Sequence, residues 1–192
     1  MPKEARKEIA NHLIVSLLIF IFVEFFWLLS DNFSIPTAVV FLSGLGVGTF
    51  LIDADHLVYW YFLNPGISES VKAKELISAK KYKQALIILS ENHKSHTSLA
   101  FHHFTFQFVL LVVSFFVISS TTSIFGQAIV LAMSAHLLLD QYLDLKSDPD
   151  HLKSWLFSRT PFSRLPLPHS WLKGYFSLYC FLFLVLIFFF LR

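Results

Sequence analysis

The chain has 192 residues, of which 55% are hydrophobic and 15% are charged, with a mean hydropathy of +0.62 and a formal net charge of +2. An ordinary soluble domain has about 45–50% apolar and about 25% charged residues, so this composition excludes that class and predicts a membrane protein. The near-neutral charge and the lack of any recognised binding module in the sequence give no support to nucleic-acid binding.

Five apolar stretches are each close to the ~20 residues that an α-helix needs to cross a bilayer. They occupy about residues 13–30, 36–52, 99–118, 124–145 and 171–191. We therefore expect a single all-α domain over residues 1–192, a polytopic membrane helical bundle of about five transmembrane helices. In the second stretch, Ser43, Gly44, Gly46 and Gly48 form a row of small residues, which favours close packing against another helix.

Two polar segments interrupt the apolar stretches. Residues 53–98 have a turn signal at 64–66 and then mixed Lys and apolar residues, which predict an insert of one or two basic amphipathic helices. These helices either lie on the membrane surface or form a solvated hairpin. Residues 146–170 contain four prolines and predict an irregular loop, in which His151 and His169 are expected to be exposed.

The basic residues indicate an orientation. Three precede the first span, six lie in the insert and four lie in residues 146–170, whereas the turns at 30–35 and 119–123 have none. Because Lys and Arg concentrate on the cytoplasmic side, five spans with a cytoplasmic N-terminus place every basic segment in the cytoplasm. The insert is then cytoplasmic as well.

This topology brings acids and histidines from four parts of the chain to one membrane surface. The candidate metal ligands are His12, Asp53, Asp55, His56, His93, His96, His136 and Asp140. His136 and Asp140 are four residues apart and share a helical face. Asp53 and Asp55 would point to the same side if the chain were extended there. Imidazole and carboxylate together suit zinc, manganese or iron, and such a mixed set holds one or two ions.

The stretch from Glu91 to His103 is rich in histidine and leaves the choice of ligands open. His93 and His96 share a face if the segment is helical. The neighbouring His102 and His103 would point about 100° apart on a helix, so at most one of them is expected to face the same centre.

At these positions the sequence resembles the YdjM-like family of predicted membrane-bound metal-dependent hydrolases, small multi-spanning proteins of the bacterial inner membrane and of archaea. The resemblance covers about residues 10–145 and rests on four segments in the family's order: His12, Ile52–His56, His93–Leu99 and Ser134–Asp140. The third segment departs most from the family pattern, because its two histidines are closer together. The resemblance implies a metal centre and a hydrolase in a cell membrane, either bacterial or archaeal.

Together these features predict a membrane-embedded metal-dependent hydrolase with a divalent-metal site, zinc first among the candidates, at the cytoplasmic interface. A bound divalent ion acidifies water, and Asp55 and His96 are the candidate catalytic residues. The basic insert suggests an amphiphilic substrate, such as a membrane lipid or another phosphoester. The alternative is a metal-binding membrane protein without hydrolase activity: a transporter, a sensor or a haem-binding bundle. Glu24 is the one deep ionisable residue in the predicted spans, which disfavours a transport path.

Overall fold

The chain is all-helical in the structure, a computed structural model that describes residues 3–192. No strand is present among these residues. The α-helices are, in chain order, α1 (Lys3–Leu29), α2 (Ile35–Leu51), α3 (Asp55–Val58), α4 (Ser68–Ser78), α5 (Tyr82–Asn92), α6 (Phe104–Ser120), α7 (Ile124–Ser147), α8 (Pro149–Leu156) and α9 (His169–Leu191). The predicted all-α class is confirmed.

Four helical segments are long and apolar enough to cross a membrane. They are Arg6–Leu29, Ile35–Leu63, Ile124–Ser147 and His169–Leu191. The fifth apolar helix, α6, has 17 residues and is about 26 Å long, slightly less than the ~30 Å hydrocarbon core of a bilayer. Large apolar side chains such as Leu18, Phe26 and Phe116 are exposed on the outside of these helices, as expected for contact with lipid tails. The architecture is a helical membrane bundle.

Helix α7 is the centre of this bundle. Inside the protein, 56% of its apolar stretch is buried, compared with 17% to 39% for the other three spanning segments. Its residues Ala128, Leu131 and Ala132 have almost no exposed surface and pack in one cluster with Phe41 and Leu45 of α2. Helices α1, α6 and α9 also contact α7. Side chains on α7 are therefore held in place from several directions.

Helices α2 and α7 approach closely along the row of small residues. A Cβ atom added to Gly44 would lie 2.6 Å from the Phe125 carbonyl oxygen of α7. A Cβ atom added to Gly48 would overlap the Ile129 backbone, whereas one added to Gly46 would meet no atom within 4 Å. The predicted close packing is confirmed at Gly44 and Gly48, while Gly46 lies on another face of the helix.

We expect Gly48→Val to destabilise the protein by about 1–3 kcal/mol, because the added side chain overpacks the contact with α7 and forces the two helices apart. The measurement is unfolding of the purified protein in mixed micelles. The matched control is Gly46→Val, which adds the same side chain where the structure leaves space. Equal stabilities of the two variants would contradict the packing described here.

The second membrane segment does not end at residue 52. The chain stays helical from Ile35 to Leu63, passing through a short 3₁₀ turn, α3 and a π-helical turn at Tyr59–Leu63. Asp53 and Asp55 therefore lie on a helix, where residues two apart point about 200° apart. The expectation that they point to one side as in an extended chain is wrong for this reason: Asp55 is buried and Asp53 is partly exposed.

The polar segment after this helix contains two short helices, within the predicted one or two. Helices α4 and α5 pack against each other and beside the π-helical turn. The buried side chains of this small cluster include Trp60, Ala73, Ile88 and Leu99. The hairpin of α4 and α5 therefore lies next to the end of the second membrane segment.

Residues 146–170 contain more helix than the irregular loop that was predicted. Helix α8 begins at Pro149 directly after Asp148, whose carboxylate accepts a hydrogen bond from the His151 amide at 3.0 Å. This is the N-cap arrangement that starts a helix, and Pro suits its first position. Trp155 of α8 is buried in a cluster that joins α8 to α9.

Candidate metal centre

His136 on α7 has a defined tautomer. Its Nδ1 lies 2.7 Å from the Thr49 carbonyl oxygen on α2. A carbonyl oxygen only accepts, so Nδ1 donates and the Nε2 of a neutral ring keeps its lone pair. The close packing of α2 on α7 at Gly48 brings these two atoms together. Metal-binding histidines are oriented in the same way, with one nitrogen donating to a carbonyl or carboxylate group.

The free Nε2 of His136 faces acidic oxygens and a second histidine. It lies 3.2 Å from Asp140 Oδ2 and 3.5 Å from Asp53 Oδ1. His12 Nε2 on α1 lies 3.3 Å from Asp140 Oδ1, and the His12 and His136 rings stack with centroids 3.8 Å apart. Ligand atoms of His12, His136 and Asp140 all lie within 4.8 Å of one another, so this group could hold a metal ion.

The histidine–carboxylate distances of this protein fall into two ranges. His96 to Glu69 and His151 to Asp144 are both 2.7 Å. The separations around Asp140 and His136 are 3.2, 3.3 and 3.5 Å, and two ligand atoms that share a tetrahedral ion are about 3.3–3.4 Å apart. The pairs His93–Glu8 at 3.4 Å and His169–Asp150 at 3.6 Å are spaced alike outside the group, so the spacing is compatible with an ion without requiring one.

Asp55 holds the loop between α5 and α6. Its side chain is 0% exposed, and its two oxygens accept hydrogen bonds from the Ala100 and Phe101 amides at 3.0 and 2.6 Å. His102 Nδ1 lies 3.3 Å from Oδ2 of the same carboxylate. These contacts explain why helix α6 begins at Phe104 rather than near residue 99, because the preceding backbone is bent around the carboxylate. That Asp55 is a ligand or a catalytic base stays a prediction; in the structure both of its oxygens accept hydrogen bonds from the loop.

His102 connects this loop to the acidic centre. Its Nε2 lies 3.3 Å from Asp140 Oδ2. Burial disfavours the charged imidazolium, but hydrogen bonds to Asp140 and Asp55 outweigh burial and raise the pKa of His102 to about 10. The buried Gln107 donates to the His102 carbonyl oxygen at 2.8 Å and fixes the backbone. The neighbouring His103 points elsewhere and lies 3.1 Å from the Ser158 carbonyl oxygen.

His96 lies behind the centre and has both ring nitrogens in short contacts. Its Nε2 donates to Glu69 Oε1 at 2.7 Å, and its Nδ1 lies 2.8 Å from His56 Nδ1. Burial lowers the pKa of His96 and so favours the neutral ring. The Glu69 carboxylate has the opposite, smaller effect. His96 was predicted as a ligand and as a catalytic residue, but neither nitrogen is free in this arrangement.

His56 and His93 lie beside the group of His12, His136 and Asp140. His56 is 1% exposed, and its Nε2 has no hydrogen-bond partner in the part of the chain that the structure describes. The His93 ring lies 4.8 Å from the His56 ring between centroids, and it is partly exposed. Both residues therefore belong to the same cluster as the predicted ligands, but not to the tightest group.

Three other polar residues, His151, His169 and Glu24, lie outside the group of His12, His136 and Asp140. His151 was expected to be exposed, but its Nδ1 lies 2.7 Å from Asp144 Oδ2 and its Nε2 lies 3.0 Å from the Lys94 carbonyl oxygen. The Asp144 contact raises the pKa of His151. His169 is exposed, as predicted. Glu24 lies on α1 twelve residues after His12, and within the described chain neither of its carboxylate oxygens has a hydrogen-bond partner.

A cavity of about 360 Å³ opens beside the centre. Its wall includes His93, His102 and Asp140, and the exposed side chains of Lys7 and Lys94 also line it. Three further acids, Glu8, Glu91 and Asp144, line it as well, so a molecule in this cavity would contact the Asp140 cluster and side chains of both charges.

Several participants could not be found from the sequence. The carboxylate of Glu69 accepts from both His96 and Trp60, at 2.7 and 2.8 Å. The Thr49 carbonyl oxygen orients His136. Neither residue lies within a recognisable spacing of its partner, since the contacts join residues far apart in the chain. The sequence did not indicate which of the adjacent His102 and His103 faces the centre.

No family model, curated protein or solved structure matches the chain. The similarity to the YdjM-like family therefore stays a prediction that rests on the four segments quoted above.

Proposed function

We propose that this protein is a membrane-embedded metal-dependent hydrolase whose ion is held by His12, His136 and Asp140. One observation carries the proposal: the lone pair of His136 Nε2 faces Asp140 Oδ2 at 3.2 Å, in a group whose His12, His136 and Asp140 ligand atoms all lie within 4.8 Å of one another. Three protein ligands leave a position open, as in catalytic zinc sites. Imidazole and carboxylate donors suit zinc first, with manganese or iron as the other candidates.

A divalent ion at this centre would lower the pKa of a bound water to near neutrality. The residues of the chain supply the rest of the chemistry. Asp53 is partly exposed and its Oδ1 lies 3.5 Å from His136 Nε2, so it is placed to accept a proton beside the ion. The sequence indicates Asp55 and His96 as catalytic residues. We assign them positioning roles, because their polar atoms are already occupied by the loop amides, His102, Glu69 and His56.

The position of the centre supports an amphiphilic substrate. It lies where α1, α2 and α7, three of the segments able to cross a membrane, carry their polar residues. Lys7 and Lys94 of the cavity wall would contact an anionic group such as a phosphoester, while its acyl part stays in the membrane. The acids Glu8, Glu91 and Asp144 share this wall, so the charge of the proposed ion is needed to attract the anion. We place this side of the protein in the cytoplasm, because the predicted topology puts all basic segments there.

The test is metal content and hydrolysis by the purified protein. We expect bound zinc, manganese or iron in the wild type, cleavage of phosphoester lipids from a defined panel, and loss of both in His136→Ala. The control is His169→Ala, which removes an exposed histidine outside the cluster and should change neither quantity. Metal content equal to background would defeat the site. Bound metal without cleavage of any panel member would favour a metal-binding membrane protein that is not a hydrolase.

A further inference from the structure

One ring nitrogen of His56 is buried without a hydrogen-bond partner. His56 is 1% exposed, and its Nε2 has no protein partner among the described residues. Leaving a buried polar atom unpaired costs free energy, so a ligand from outside the chain that contacts this atom would be favoured. Because Nδ1 of this ring contacts His96, Nε2 on the other side of the ring points away from His96.

A chain of hydrogen bonds sets which nitrogen of His56 carries a proton. The Glu69 carboxylate only accepts, so a neutral His96 has its proton on Nε2 and a lone pair on Nδ1. That lone pair lies 2.8 Å from His56 Nδ1, which must then donate. Nε2 of His56 is left with a lone pair. The carboxylate that begins this chain is itself held by Trp60 Nε1 at 2.8 Å.

His102 is prepared in the same way. Its Nδ1 faces Asp55 and its Nε2 faces Asp140, both at 3.3 Å. A carboxylate behind a histidine, with the other nitrogen directed to an ion, is the usual support of metal-binding imidazoles. The centroids of the His56 and His102 rings are 6.3 Å apart, so an ion bound by both rings would have their nitrogens on nearly opposite sides.

The Asp140 carboxylate lies among three histidine nitrogens. Its Oδ1 lies 3.3 Å from His12, and its Oδ2 lies 3.2 Å from His136 and 3.3 Å from His102. A single carboxylate therefore has histidine nitrogens from α1, α7 and the loop before α6 around it. A carboxylate in this position can bridge two ions.

We propose a second divalent-cation position next to the first, ligated by His56 Nε2 and His102 Nε2 and bridged to the first ion by Asp140. It rests on the proposed function, because it shares a ligand with that centre. Its donors are mainly imidazole, which suits zinc, manganese or iron rather than magnesium or calcium. His93, beside His56 and partly exposed on the cavity wall, completes the set on the side that a substrate would enter.

Two ions about 3.5–4 Å apart would together stabilise the attacking and leaving oxygens of a displacement, as they do in phosphatases and nucleases and also in aminopeptidases. The second position is thus compatible with the phosphoester substrate proposed above. His56 and His102 would each act by holding an ion, and Glu69 with His96 would act only by positioning His56.

The test is the number of ions in protein reconstituted with Mn²⁺ alone. We expect two Mn²⁺ per chain in the wild type, with the exchange-coupled electron paramagnetic resonance spectrum of a close pair. His56→Gln should retain one ion and give an uncoupled spectrum. His169→Gln, an exposed control, should keep two coupled ions.

The outcomes separate this proposal from the one it rests on. A single uncoupled ion in the wild type would overturn the second position and leave the first intact. No bound ion would overturn both. Two coupled ions in His56→Gln would show that His56 is not a ligand. The wild-type measurement needs no variant, so a His56→Gln protein that failed to fold would not remove the test.

Discussion

Replacing Asp140 by Asn is expected to remove metal binding and hydrolysis together. The Asp140 carboxylate is the common neighbour of His12, His102 and His136, with all three nitrogens at 3.2–3.3 Å. Asn keeps the shape but lacks the negative charge and replaces one acceptor oxygen with an amide donor. Loss of a residue that merely supports a ligand costs about 10–100-fold in metal affinity, so loss of this carboxylate should cost more than about 100-fold. The measurement is metal affinity by competition with a chelator.

The matched control is Asp150→Asn on α8, since the Asp150 side chain is 86% exposed. It makes the same chemical change outside the cluster and should leave metal affinity unchanged. Metal affinity within about threefold of the wild type in Asp140→Asn would mean that the ion, if one binds, is held elsewhere. That result would also remove the bridging carboxylate from the two-ion arrangement.

Asp55→Asn is expected to destabilise the folded protein by about 3–5 kcal/mol, the usual cost of breaking a buried charged pair. Asp55 is 0% exposed and accepts from two backbone amides as well as facing His102. An Asn amide group would place a donor against donors and leave His102 Nδ1 without its charged partner, while Nε2 keeps its contact with Asp140. The loop before α6 should loosen. The measurement is unfolding of chelator-treated protein in mixed micelles, with Asp150→Asn as the control.

Asp55→Asn should also change how the free energy of unfolding depends on pH. The pKa of His102 is raised to about 10, so its protonated form stabilises the folded state fully below its usual value of about 6.5. That contribution is lost as the pH rises through about 10. The difference in unfolding free energy between wild type and Asp55→Asn should therefore be larger at pH 6.5 than at pH 10.5. At pH 10.5 the difference in free energy should still be above zero, because the wild type keeps the two amide hydrogen bonds to Asp55. A difference that does not change with pH would contradict the ion pair.

The order of the loop before α6 and the geometry of the Asp140 cluster are coupled in this arrangement. Asp55 bends the backbone before α6, the bend presents His102, and His102 contacts Asp140. A buried network that is fully satisfied holds one geometry, whereas a partly satisfied one costs free energy. Within the described residues, His56 Nε2 and His12 Nδ1 are buried atoms of this region that the protein chain alone leaves without a partner.

The membrane class and the helical bundle followed from composition and the lengths of the apolar stretches. The row of small residues predicted a close helix contact, and Gly44 and Gly48 make it with α7. The spacing of His136 and Asp140 placed them on one helical face, and they lie 3.2 Å apart. These features depend on local periodicity and on average hydropathy, which a single sequence contains directly.

The roles within the cluster were decided by the tertiary structure alone. His96 looked like a ligand and His102 like one of two alternatives, yet His96 contacts Glu69 and His102 contacts Asp140. Asp53 and Asp55 seemed a pair, but the helix that continues through them turns one toward His136 and the other into the loop. The physical reason is that a histidine's chemistry depends on which nitrogen is free. That depends on partners such as the Thr49 carbonyl, which only folding brings into contact. The sequence by itself therefore determined a membrane bundle with histidines and acids at one level, and the fold determined which of them contact one another.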